Sequence, residues 1–196
     1  MLDLDVLDDP AAASVALDPI KSRLLAELAV PGSAASLATR VGLTRQKVNY
    51  HLHALEEHKL VQPVEERHWG GLTERLMVAT AKSYVVSPAA LGLIGADPAR
   101  NNDRLSASYL IALAARIVRE VGQLWRGARK SDKRLATLSI DAVIRFKSPT
   151  ERAAFTHDLG QVIATLAARY HDETAPGGRP HRLVVASYPA PPETKS

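Results

Sequence analysis

The chain has 196 residues, with 25 Lys and Arg against 21 Asp and Glu, a formal charge of +4, a pI near 9.5 and no cysteine. That length suits one large domain or two small ones, and 46% hydrophobic residues is ordinary for a chain that buries a core. The absence of Cys excludes a disulfide framework and a thiol nucleophile. No apolar run reaches the length of a bilayer, and the start MLDLDVLDDP is acidic where a signal peptide is basic, so no membrane partner and a cytoplasmic location are expected.

Residues 1–17 form an acidic N-terminal arm holding Asp3, Asp5, Asp8 and Asp9, with AAASVAL as a candidate short helix. Asp18-Pro19 then places a cap and a first-turn proline at the start of a helix whose buried stripe is Ile20, Leu24, Leu25 and Leu28, ended by Pro31-Gly32. From Ser33 to Val64 the sequence reads SAASLATRVGLTRQKVNYHLHALEEHKLVQPV. Ser33 or Ser36 caps a helix through Ala35, Leu37, Ala38 and Val41, and Gly42 stands where a left-handed exit is needed. Thr44 caps a second helix, 44–58, with Val48, Leu52 and Leu55 at i, i+4 and i+7. Its opposite face holds Arg45, Gln46, Asn49, Tyr50 and His53. A major groove about 12 Å wide admits one helix; Arg suits guanine there, and Gln or Asn suits adenine.

A strand from Leu60 to about Arg67, a Gly70-Gly71 turn and a return from Leu72 to Ala79 make a hairpin directly after that helix, which is a wing. Arg67, His68 and Arg75 are its candidate phosphate or minor-groove contacts, diluted by Glu65, Glu66 and Glu74. VNYHLHALEEHKLV resembles the recognition-helix signature of the bacterial ArsR-type winged-helix regulators, over residues 18–87 or so, and LTERLMVATAKSYVVSP resembles one subgroup of them. The resemblance implies a dimeric DNA-binding repressor or regulator. Two departures stand out: Lys59 occupies a position where the family usually has Gly, and without Cys the thiolate site of its metal-sensing branch is missing.

After the wing, Ser87-Pro88 opens a brief helix through Leu91 and Leu93, and GADPARNND is a linker. A long helix follows over 104–128. Ile111, Ala114, Val118, Val121, Trp125 and Ala128 repeat in steps of three and four, and Leu110, Leu113, Ile117 and Leu124 widen the stripe. So broad a face suits two surfaces, one of them in a second subunit. The basic excess also lies here, from Arg104 to Arg134. From Leu138 to Phe146 the chain alternates, with Leu138, Ile140, Ala142, Ile144 and Phe146 on one face and Ser139, Asp141, Val143 and Arg145 on the other. Ser148-Pro149 opens a helix carrying Phe155, Leu159, Val162, Leu166 and Tyr170, APGGRP breaks it, and RLVVASY reads as a second strand. This β-α-β unit is too small to stand alone and needs the long helix or a second subunit.

The seven histidines include no HExxH pair and the Gly pairs lack phosphate-loop spacing. His51 and His53, two apart on one helix, point to different sides and cannot chelate together. No nucleophile stands with a base and an orienting group, so catalytic residues, metal ligands and cofactors are all expected to be none. The fold class is α+β, with an N-terminal winged helix-turn-helix, a long helix and a C-terminal β-α-β unit. Its domains are expected at 1–17, 18–96 and 103–196, the last for dimerisation or an effector. The expected function is sequence-specific binding of double-stranded DNA by a homodimer joined through helix 104–128 and the C-terminal unit. DNA would be contacted by Thr44, Arg45, Gln46, Lys47, Asn49, Tyr50, His53, Arg67, His68 and Arg75. The alternatives are a winged-helix protein-interaction module, distinguished by binding insensitive to salt, and a small-molecule sensor in the C-terminal unit.

Overall fold

The computed structural model describes residues 1–69 and 72–192, in two compact units, 1–135 and 136–196. The expected partition at residue 103 groups the long helix with the C-terminal segment, whereas the compact unit that contains it ends at 135. The Gly70-Gly71 turn lies outside the described residues.

In the first unit, β1 (Asp5–Leu7) leads into α1 (Pro10–Leu17) and α2 (Pro19–Glu27), each opened by an Asp-Pro step. Asp9 accepts from the amides of Ala11 and Ala12, and Asp18 from those of Ile20 and Lys21, so both helices begin with amides satisfied by a carboxylate. The N-terminal segment is therefore folded: α1 buries Ala12 and Ala13, and β1 buries Val6 and Leu7. Leu24, Leu25 and Leu28 are buried as their spacing predicts, while Ile20, one turn earlier, stays exposed at the helix start.

β2 (Gly32–Ser33) precedes α3 (Ala34–Val41), and both candidate serines cap that helix. Ser33 Oγ accepts from the Ser36 amide while Ser36 Oγ accepts from the Ser33 amide, a reciprocal box. Gly42 exits at φ 70°, and the amides of Gly42 and Leu43 both reach the Ala38 carbonyl. Thr44 then caps α4 (Arg45–Glu57) through the Lys47 amide, and Val48, Leu52 and Leu55 bury its inner stripe. Leu24, Leu28, Leu37, Val48 and Leu55 are completely shielded together at the centre.

β3 (Val61–Trp69) and β4 (Leu72–Ala79) form the hairpin, and β2 pairs on the other side of β4, giving a sheet in the order β2-β4-β3. The register slips between Pro63 and Glu65. Pro63 has no amide to donate, and an edge strand is where a sheet tolerates that loss. β5 (Tyr84–Val86) pairs in parallel with β1, joining residues 79 apart in sequence, a contact that the pattern of neither segment announces.

Two 3₁₀ turns, Pro88–Ile94 and Pro98–Arg100, lead to α5 (Ala107–Lys130), capped by Ser106. None of the residues of the expected apolar stripe is fully buried: Ile111, Val121 and Leu124 are exposed, and the two buried residues of the helix, Ala112 and Gly122, lie outside that stripe. Gly122 faces Val6, where a Cβ would come within 3.0 Å of the valine methyl. One turn on, the Arg126 guanidinium donates to the Val6 carbonyl at 2.8 Å and pairs with Asp8. The acidic arm thus ties α5 to β5.

In the second unit α6 (Pro149–Tyr170) is capped by Ser148, and Phe146 meets Phe155 with ring centroids 5.3 Å apart. The segments 138–146 and 182–188, which flank α6 as the alternating pattern requires, pair with no strand among the described residues. A strand exists only where a neighbour completes its ladder, and no residue of this unit is buried among those described.

Candidate nucleic-acid interface

Two turns fix α4 at both ends. At its C-terminus the Lys59 amide donates to the Glu56 carbonyl and the Leu60 amide to the Leu55 carbonyl, each at 2.9 Å, with Lys59 at φ 59°. This is the double bond pattern of a Schellman turn, and it requires a left-handed residue where Gly is least strained. Lys59 is the position that departs from the ArsR-like pattern, and it keeps the turn that Gly would make.

With Val48, Leu52 and Leu55 turned inward, the outer face presents Arg45, Gln46, Lys47, Asn49, Tyr50 and His53, all exposed. Arg45 and Lys47 have no acidic partner among the described residues, and the first turn of α4 carries no acidic residue. The helix thus offers its positive end, two free cations and four groups able to donate or accept at one surface, a combination suited to a phosphate backbone and base edges. Thr44 is engaged in capping and stands at the entrance of the helix. His53 lies 3.9 Å from the Glu56 carboxylate. His51 is placed differently: half-buried, edge-on to the Tyr50 ring at 5.4 Å, with its Nδ1 shielded and without a partner among the described residues.

The hairpin cations are arranged otherwise. Arg67 forks onto Glu65 at 2.8 and 3.1 Å, which holds that carboxyl below its ordinary range and raises the guanidinium further. Arg75 is forked by Glu56 of α4 at 2.6 and 3.1 Å, with Glu66 at 3.7 Å from its Nε. His68 is exposed on β3. The ion pair joining Arg75 to Glu56 spans a cleft of about 500 Å³ between α4 and the hairpin, lined by Arg45, Gln46, Asn49 and His53 among others. Glu56 is a site residue that the sequence pattern passed over. Its spacing from His53 is visible, but that it meets β4 depends on the hairpin folding back along α4.

This arrangement, a three-helix core with a helix-turn-helix and a hairpin alongside its second helix, defines a winged helix-turn-helix fold. Residues 16–64, about a quarter of the chain, match the family model described as helix-turn-helix domain. Among solved structures, the crystal structure of NolR from Sinorhizobium fredii is 20% identical over 44% of this chain and 76% of that chain, with a TM-score of 0.29, too slight a likeness to carry an inference. No curated protein matches the chain. No helix among the described residues is long and apolar enough to cross a membrane.

Proposed function

We propose that this protein is a cytoplasmic, sequence-specific transcriptional regulator of ArsR-like type, a dimeric repressor that reads duplex DNA with α4. The observation that carries the reading is the outer face of α4, where Arg45 and Lys47 stand without acidic partners beside Gln46, Asn49, Tyr50 and His53. In this reading Arg45, Gln46 and Asn49 meet base edges, while Thr44, Lys47, Tyr50 and His53 fix the helix against the backbone. Arg67 and His68 follow the flanking phosphates or minor groove, and Arg75 serves chiefly as the strut that holds the hairpin to α4 through Glu56. The broad exposed stripe of α5 supports a homodimer, and two subunits would present two copies of α4 to two half-sites.

The deciding experiment is fluorescence anisotropy on the DNA upstream of the gene against a shuffled fragment, in physiological salt with competitor. Preference for the native fragment with a steep fall of affinity in salt is the expected result. Equal binding to both fragments, or binding indifferent to salt, would overturn it in favour of a protein partner for the same helix face.

A further inference from the structure

Residues 134–146 run without helix, turn or bend, and no backbone–backbone hydrogen bond joins them to the described residues. Ile140 is 87% exposed and Val143 79% exposed, and the charged pair Asp141 and Arg145 is exposed with no ion-pair partner among the described residues. A straight, unpaired, half-apolar segment is a template for another strand. Its own sequence is a good complement to it.

Antiparallel pairing of LSIDAVIRF with a copy of itself, with Val143 opposite Val143, sets each residue against the one equally far on the other side. Asp141 then lies opposite Arg145 of the copy, and Arg145 opposite Asp141, so two opposite-charge pairs form on one face. On the other face Ile140 meets Phe146 and Ala142 meets Ile144, each twice. Directly opposed side chains in an antiparallel pair are about 4.5–5.5 Å apart at Cβ, near enough for both kinds of pair to count. Centring the pair on Ala142 would set Asp141 against Val143 and leave Arg145 facing Ser139; centring it on Ile144 would set Asp141 against Lys147 but leave Arg145 facing Val143 and Ile140 facing Ser148, so of the three only the Val143 register pairs both charges of the segment and keeps Ile140 against Phe146. Each residue stays on its own face because the pairing preserves the alternation.

We infer that residues 138–146 form an antiparallel two-chain β-ladder with the same segment of a second copy, on a twofold axis at Val143. The contact is isologous, as a closed dimer requires. It rests on the dimer of the proposed function and adds to it a defined interface in the second unit, independent of α5.

The chain has no cysteine, so single-cysteine variants report this geometry without background. In the full-length protein, Val143→Cys places two thiols opposite each other across the axis, within the 4.4–6.8 Å Cα separation a disulfide spans. Ser139→Cys, on the same face, places them eight residues apart along the ladder, about 26 Å at 3.3 Å per residue. On mild oxidation of dilute protein, Val143→Cys is expected to give a covalent dimer on non-reducing electrophoresis and Ser139→Cys to remain uncrosslinked. Adding Asp141→Arg to Val143→Cys should abolish the cross-link, and adding Arg145→Asp as well should restore it. Sedimentation and operator binding of the same samples separate the two levels of the proposal. A dimer that binds DNA but cross-links equally at 139 and 143, or fails to recover with the swapped pair, overturns the ladder and leaves the regulator standing; a monomer overturns the ladder and the dimer together.

Discussion

At the scale of single residues, the two free cations of α4 differ in what they are expected to do. Arg45 can fork onto one base, so Arg45→Ala should cost about 1–3 kcal/mol on the matched operator and relax preference at one base pair. Lys47 is suited to a phosphate. Lys47→Ala should weaken operator and random DNA alike and reduce the salt slope by about one. Anisotropy titrations across a salt series on both fragments check the pair, and equal losses on both fragments for Arg45→Ala would remove its base-reading role. Lys59 supplies a second test. It holds a left-handed conformation at φ 59° in the turn that closes α4, so Lys59→Gly should raise stability by about 0.5–1 kcal/mol in urea unfolding, the side-chain strain outweighing the extra freedom of the unfolded chain. Much of this was legible beforehand: a cap, an apolar stripe and a polar face follow from residue types at fixed spacing. The Arg75 and Glu56 pair was not, because a guanidinium on a strand meets whatever the folded hairpin lies against, and spacing along the chain does not record that.

At the scale of elements, capping and close packing set the predictions. The Asp18 carboxyl is held below its ordinary range first by the Lys21 amide it caps, with the Lys21 ammonium adding to this. A carboxyl depressed in the folded state contributes stability above its unfolded value, about 3.9, and loses it as pH falls through the folded one. Asp18→Asn keeps an oxygen acceptor and removes the titration, so its urea midpoint should fall less steeply than that of the native protein below about pH 4. Gly122 makes the complementary case. Its Cα faces Val6 so closely that a larger side chain must push β1 or α5 aside; Gly122→Leu should destabilise by about 1–3 kcal/mol, measured by urea unfolding, whereas the same change at Gly127, which faces open space, should not. The sequence announced α2, α3, α4 and the hairpin because each declares its own period and its own ends. β2 has two residues and β1 has three. Segments that short owe their conformation to a partner, so neither could be read before the partner was in place.

For the molecule as a whole, the reading of α5 as an interface and of α4 as a DNA reader makes a joint claim about operator geometry. Two half-sites should lie about one turn of the duplex apart, 34–36 Å between centres. Footprinting on operators with half the duplex turn inserted between the half-sites should show affinity falling to that of a single half-site, while insertion of a full turn should restore part of it. The second unit was legible in pattern and not in pairing: alternation over 138–146 and the helix 149–170 could be read directly, yet a ladder needs a partner strand, and neither 138–146 nor 182–188 has one among the described residues.

The parallel pairing of β1 with β5 also orders events during synthesis. Residues 5–7 leave the ribosome nearly 80 residues before their partner at 84–86, and some 120 before Arg126, which clasps Val6 and Asp8. At about 5–20 residues per second that is a wait of several seconds, during which α2, α3, α4 and the hairpin have all the residues they need to condense. Residues 5–7 therefore wait for both of their partners, first β5 and then Arg126 of α5, while the helix-turn-helix already has its own residues in hand.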